Sequence, residues 1–271
     1  MSTKNSQPKF VFIIPTLSNK SGLENLIQNI NNFYSDIPVI VVNNSANKEL
    51  GTQLHVRGVK NRLVFINQDV NTGFARACND GAKRAAELFR PKYFVFLNDD
   101  TLFTQDWLKK CLLTMEKNKW VATTPLLTDL KGRIENVGYT VLPYGKVRLI
   151  KNAQNKEKID GISATALIFQ AEQFVQLGGF DERFFAYLED VDLFLRAKKK
   201  GFRFGVTKSA SVHHEGQKTS VKMQSKKAWL DFRNWILLIA KNWSREDLIK
   251  YFPKILLERV RNFSGLIKTL F

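Results

Sequence analysis

The sequence predicts an α/β fold: a mostly parallel sheet with helices on both faces, followed by carboxyl-terminal helices. Three observations predict it. Short apolar runs stop at polar or turn-forming residues, as buried parallel strands do. Between residue 10 and about residue 118 these runs alternate with segments of helical period, the pattern of βα units. After an irregular stretch, strong helical order returns over residues 226–243.

Phe10-Val-Phe-Ile-Ile-Pro15 is the first strand, ending at a turn. Residues 22–34 read as a helix with Leu23, Leu26, Ile27 and Ile30 on one face. The second strand, Val39-Ile-Val-Val42, stops at Asn43-Asn44-Ser45, and the third is Leu63-Val-Phe-Ile66. A second helix over 73–89 opens through Asn71-Thr72-Gly73. The fourth strand, Tyr93-Phe-Val-Phe-Leu97, is closed by Asn98-Asp99-Asp100. Beyond residue 120 there are short strand-like pieces near 121–127, 134–142 and 164–170, and an apolar alternation over 204–212. In the helix over 226–243, Trp229, Phe232, Ile236, Ile239 and Trp243 form a stripe at three- and four-residue steps. Ser244 with Asp247 reads as a capping box opening another helix. Pro253 is expected to kink that helix or start a new segment.

Composition bounds the class. The chain has 271 residues, 44% of them apolar, enough to bury a full core. Two cysteines, Cys78 and Cys111, offer no disulfide scaffold and suit a reducing compartment. The amino terminus carries no apolar segment of the secretory kind, and no run approaches the roughly 18–20 residues of a membrane span. The expectation is a cytoplasmic protein, at most peripheral on the inner face of the cell membrane. The net charge of +17 calls for a polyanionic partner. Residues 222–271 hold 11 Lys/Arg against 4 Asp/Glu, so much of that charge sits at the carboxyl end.

Ligands of such sheets bind beyond the carboxyl ends of the strands, where Pro15-Thr16, Asn43-Asn44-Ser45 and Asn98-Asp99-Asp100 stand. Carboxylates at a strand tip can hold Mg²⁺ or Mn²⁺ against a diphosphate, because hard cations share their shell between carboxylate and phosphate oxygens. Glu189-Asp190-Val191-Asp192 opens a helical segment behind the turn Gly178-Gly-Phe-Asp-Glu182, and a partly desolvated carboxylate there could act as a general base. His213-His214 ends a strand, and neutral imidazole can complete a metal shell begun by carboxylates.

In chain order and context these clusters resemble the inverting glycosyltransferases of family two, which have the GT-A fold, a nucleotide-binding, Rossmann-like sheet. The resemblance covers roughly residues 10–220. It rests on Val11-Phe-Ile-Ile-Pro-Thr16, Val41-Val42-Asn43-Asn44-Ser45, Asn71-Thr-Gly-Phe74 with Ala77, Asn79 and Gly81, Asn98-Asp99-Asp100, Gly178-Gly-Phe-Asp-Glu182, Glu189-Asp190 and the late histidine. Position 43 is Asn where the family usually has Asp. Asn98 at the head of the metal motif is common in the subgroup similar to bacterial rhamnosyl- and galactofuranosyl-transferases.

The resemblance implies roles residue by residue. Asp190 is the base, with Glu189 beside it. Asp100 and His214 meet the metal, His213 being the alternative. Pro15, Thr16, Asn43, Asn44, Asn71, Gly73, Arg76, Asn98 and Asp99 bind the nucleotide sugar. Gly179, Phe180, Asp181 and Arg233 bind the acceptor, a glycan or a lipid-diphosphate-linked sugar. A catalytic domain over 10–220 would then follow a disordered tail at 1–9 and precede basic amphipathic helices over 221–271, which could lie on an anionic membrane surface. Two rival classes fit less well. A sugar nucleotidyltransferase needs a glycine-rich, basic loop after the first strand, and residues 15–22 lack it. A nucleic-acid-binding protein would leave both acidic clusters without a role, and no zinc-ligand spacing or basic recognition helix is present.

Overall fold

The structure is a computed structural model of the chain and describes residues 8–45, 47–50, 54, 62–154, 158–215 and 224–270. Most of the expected tail at 1–9, and the expected boundary at 220/221, lie outside the described residues.

Strand β1 (Phe10–Thr16) is followed by α1 (Lys20–Phe33), β2 (Val39–Asn43), β3 (Leu63–Asn67), α2 (Phe74–Phe89) and β4 (Tyr93–Leu97). Then come β5 (Thr101–Phe103), α3 (Trp107–Asn118), β6 (Ala122–Thr128) and β7 (Ile134–Asn136). A hairpin of β8 (Tyr139–Val141) and β9 (Val147–Leu149) leads to β10 (Ala166–Gln170) and α4 (Ala171–Gln176). A 3₁₀ turn (Glu182–Phe184), α5 (Glu189–Lys199), β11 (Phe204–His214), α6 (Gln224–Asn242) and α7 (Arg245–Leu270) complete the order.

The main sheet runs β3-β2-β1-β4-β10-β6-β11-β5, with β7 on β6. β3, β2, β1 and β4 pair in parallel, as the βα alternation requires. β10 enters between β4 and β6 antiparallel to both, and β11 pairs parallel with β6. Six strands thus run one way, with β10 reversed at the middle of the sheet and the short β5 and β7 reversed against β11 and β6. Strand alternation divides the core in two. Val11, Ile13, Ile40, Val42, Phe94 and Phe96 face α2 and α5. Phe12, Ile14, Val39, Val41, Tyr93 and Val95 face α1 and α3. Every residue of β1 is buried, which is why its run is apolar without alternation. Fully burying each such aliphatic side chain stabilises the fold by roughly 1.5–3 kcal/mol. Leu23, Leu26, Ile27 and Ile30 of α1 are buried, as their spacing predicts. Helix α2 lies so close to β1 that a Cβ on Gly81 would stand 2.5 Å from Ile13 Cγ2.

The carboxyl-terminal helices are placed by polar anchors as well as by apolar spacing. The buried face of α6 is Leu230, Asn234 and Leu238 with Ile239, while Trp229 and Ile236 of the expected stripe are about half exposed, at 52% and 48%. The polar anchor decides the rotation: Asn234 is fully buried and bonded, and Lys241 and Asn242 reach the buried carboxylate of Asp192. Helix α7 runs through Pro253 without a new segment starting there. Its start is the expected capping box, with Ser244 Oγ donating to Asp247 Oδ2 at 2.7 Å and Asp247 N–H donating to Ser244 Oγ at 3.1 Å.

Candidate active site

The strand ends of β1, β2 and β4, the segment before β10, the start of α5 and the first turns of α6 enclose one cleft of about 670 Å³. Its polar lining includes Thr16, Asn44, Asn71, Asn98, Asp99, Asp100, Glu189, Asp190 and His214. Side chains as far apart in sequence as Thr16 and His214 therefore meet around one space.

The floor is a hydrogen-bonded mesh. Thr16 Oγ1 donates to Asp99 Oδ2 at 2.5 Å, and Asn19, the cap of α1, donates to Asp99 Oδ1 at 3.3 Å. Burial is the main influence on Asp99 and raises its pKa to about 6, against the pull of these donors. Asn44 donates to the Gly73 carbonyl and accepts from the Thr72 backbone, locking the turn that opens α2. Gly73, at φ +88°, is needed there because a Cβ would stand 2.4 Å from the Phe185 carbonyl oxygen.

The wall bearing Glu189 and Asp190 is strained. Phe185, Tyr187 and Leu188 all have positive φ, at 64°, 71° and 65°. Side chains rarely adopt this conformation unless surrounding structure enforces it. The enforcer is α6: Asn234 Nδ2 donates to the carbonyls of Phe184, Ala186 and Tyr187 at 2.8, 2.8 and 2.7 Å. Arg233 adds bonds to the carbonyls of Arg183 and Phe184. The result presents Asp190 in the first turn of α5, accepting from the Val191 and Ala164 backbone N–H groups at 2.8 and 3.3 Å. Burial raises the Asp190 pKa to about 6, partly offset by these donors. Glu189 is pushed well above the usual carboxylate range, by burial first and by Asp190 second. Both carboxyls are thus harder to ionise than free ones, because burial withholds water from the charged form.

Opposite lies Asp100, with Oδ1 3.2 Å from His214 Nε2. The other ring nitrogen of His214 stands 3.6 Å from Glu135. Burial works against charge on this imidazole, but the two carboxylates outweigh it and the pKa is raised. Asn98 Oδ1 and Asp100 Oδ1 are buried and accept no well-aligned hydrogen bond among the described residues. Hard oxygen donors left bare beside an imidazole suit a divalent cation. Among the described residues no three His, Cys, Asp or Glu side chains cluster as a metal cage. A cation held by Asp100 and His214 would therefore take its remaining ligands from substrate oxygens and water.

Several residues expected at the site lie elsewhere. Asn43 is fully buried and bonds Asn67, the Asn47 carbonyl and Ser45, away from the cleft. Arg76 is on α2, 3.8 Å from Asp80. His213 points away from His214 and pairs with Thr128 Oγ1 at 2.8 Å. Gly179, Phe180, Asp181 and Arg233 do not line the cleft. Phe180 is core, Asp181 binds Arg183 and Lys241, and Arg233 braces the loop from behind. Conversely, Ser163, Thr165, Tyr187, Lys226, Lys227 and Asp231 line the cleft without having been singled out. The positive-φ run is visible only in three dimensions, and Lys226 and Lys227 read in sequence as ordinary helix charge.

A mostly parallel sheet with an acidic cleft at its carboxyl edge is the arrangement of the GT-A fold. The chain matches Glycosyl transferase family 2 over residues 11–171 and belongs to that family. It is 25% identical over 225 residues to the O-antigen biosynthesis protein RfbC of Myxococcus xanthus, covering 77% of this chain and 17% of that one. It is 24% identical over 154 residues to Rhamnosyltransferase WbbL of Escherichia coli (strain K12), covering 48% of this chain and 56% of that one. The chain thus spans less than two thirds of either relative. The fold matches the crystal structure of GalNAc-T7 with UDP, GalNAc and Mn²⁺ at a TM-score of 0.66 and 12% identity, covering 91% of this chain and 50% of that one.

Proposed function

We propose that this protein is an inverting, divalent-cation-dependent glycosyltransferase that moves a sugar from a nucleotide diphosphate to a hydroxyl of a glycan or lipid-diphosphate-linked acceptor in cell-surface polysaccharide synthesis. The observation that carries the reading is that Asp190, in the first turn of α5 just after a strained and clamped loop, lines the same cleft as Asp100 and His214. Family membership and the names of the two bacterial relatives support the chemistry and the glycan class. The nucleotide and Mn²⁺ of the GalNAc-T7 structure support the donor type and the cation.

In the reaction the acceptor oxygen attacks the anomeric carbon while its proton passes to the Asp190 carboxylate. The bond from that carbon to the diphosphate oxygen breaks, and the leaving group departs with the electron pair, inverting the centre. A positioned base of this kind contributes roughly a hundred- to ten-thousand-fold. Thr16 and Asn19 hold Asp99, and Asn44 and Asn71 shape the turn beside the nucleotide's place. Asp100 and His214 would hold Mn²⁺ or Mg²⁺, whose Lewis acidity offsets charge on a departing diphosphate. Lys226 and Lys227, at the rim from α6, fit an acceptor carrying phosphate, which accounts for part of the basic charge without nucleic acid.

The test is consumption of a panel of nucleotide sugars with chelator, Mn²⁺ or Mg²⁺, for the native chain and Asp190→Asn. One donor should be consumed only with a cation. The variant should bind that donor and turn it over at least about a hundredfold more slowly. Native rates in the variant would remove Asp190 as the base, and full turnover in chelator would remove the cation.

A further inference from the structure

Helix α7 is packed inside out. Ile249, Phe252, Leu256, Val260 and Phe263 recur at three- and four-residue steps and form one stripe, yet each is at least half exposed. On the opposite side of the helix Glu258 is buried and meets Lys146 Nζ at 3.5 Å. A helix rotated merely to bury its own apolar residues would do the reverse. The stripe continues onto α6, because the Phe263 ring lies 5.8 Å from Phe232 and Phe232 lies 6.3 Å from the exposed Trp229.

We infer that this face of α6 and α7 docks on the anionic headgroup surface of a membrane and holds the cleft mouth against it. Charge complementarity selects that partner. Lys250, Lys254 and Arg261 are exposed along one flank of the stripe, and Lys226 and Lys227 are exposed at the cleft rim one turn from Trp229. Apolar side chains at the acyl boundary with cations among the headgroups is the arrangement of an interfacial helix on acidic lipid. A second copy of the chain could cover the stripe, but it would bring these cations against their own duplicates. No helix among the described residues is long and apolar enough to cross a membrane. The docking goes beyond the transferase reading: apart from Lys226 and Lys227 at the cleft rim, it rests on residues of α6 and α7 outside the cleft.

The full chain is sedimented with vesicles of phosphatidylcholine alone and of phosphatidylcholine with phosphatidylglycerol, at low and high salt, beside Phe252→Glu/Leu256→Glu and Lys250→Glu/Lys254→Glu. The native chain should partition onto the anionic vesicles, less at high salt, and each double variant should bind about tenfold or more weakly. Circular dichroism and donor hydrolysis should be unchanged in both variants, which separates lost docking from lost folding or catalysis. No partition of the native chain, or equal binding by the charge-reversed variant, overturns the docking. A native dimer without vesicles that Phe252→Glu/Leu256→Glu makes monomeric also overturns it and assigns the stripe to a second copy.

Discussion

At the scale of single residues, catalysis and stability pull against each other at Asp190. Its carboxyl has an ordinary value of 3.8 and is raised to about 6 by burial. The folded state therefore holds the proton more tightly than the unfolded chain. The stability this group contributes is present below the unfolded value and is lost as pH rises through about 6. The proposed base role needs the ionised form, so kcat should fall as pH drops through about 6, which a pH–rate profile of the native chain checks. Asp190→Asn removes the buried charge while keeping the shape. It should raise stability near pH 7 by roughly 1–3 kcal/mol even as turnover disappears, read by thermal unfolding across pH 5–8. The strand-tip residues of this site were legible in sequence because each follows an apolar run directly: a polar residue there has the sheet's ligand edge as its place. Asn43 obeys the same rule yet turns inward, because Asn67 on the neighbouring strand and Ser45 on its own turn satisfy it. Nothing in one dimension distinguishes it from Asn44.

At the scale of elements, the loop over 184–188 stores backbone strain that α6 holds in place. Three left-handed residues within four positions cost on the order of 1–3 kcal/mol each. One amide, Asn234, satisfies three of the loop's carbonyls. Asn234→Ala should lower kcat by an order of magnitude or more and leave donor KM nearly unchanged, since the nucleotide's strand tips are untouched. Each buried carbonyl left without a donor costs about 1–3 kcal/mol, so unfolding should come markedly earlier in urea. A variant with native kcat would show that the loop keeps its shape unaided. The same helix shows what apolar periodicity leaves open: the spacing marks a stripe with Trp229 and Ile236, and a buried amide, Asn234, sets which face turns inward. Apolar spacing located the face of α1, where the polar anchor, Asn29 bonded to the Phe103 backbone, sits beside Leu26 and Ile30 instead of displacing them. The reversed strand β10 was equally silent, since a run such as Ala166–Gln170 looks alike whichever way it pairs.

At the scale of the whole molecule, α6 is tied by buried polar groups into the fold beneath the proposed base. Asp192, fully buried, binds Arg196 at 2.7 Å, Lys241 at 2.8 Å and Asn242 at 3.0 Å, and so ties α5, which carries Asp190, to α6. Lys241 also binds Asp181 at 2.6 Å, joining both to the 3₁₀ turn. Removing one partner of a buried ion pair typically costs about 3–5 kcal/mol because a bare charge is left behind. Lys241→Ala should therefore cost somewhat less, about 2 kcal/mol, as Arg196 stays with Asp192. Adding Asp192→Asn to Lys241→Ala should recover part of that loss by discharging the stranded carboxylate, which a double-mutant cycle of unfolding free energies measures. If the two losses simply added, the lysine would be a surface charge near the junction, and the path from α6 to the catalytic loop would run through Asn234 alone. If they are coupled, any lipid contact on the far face of α6 and α7 is linked through a few buried polar groups to the position of the base.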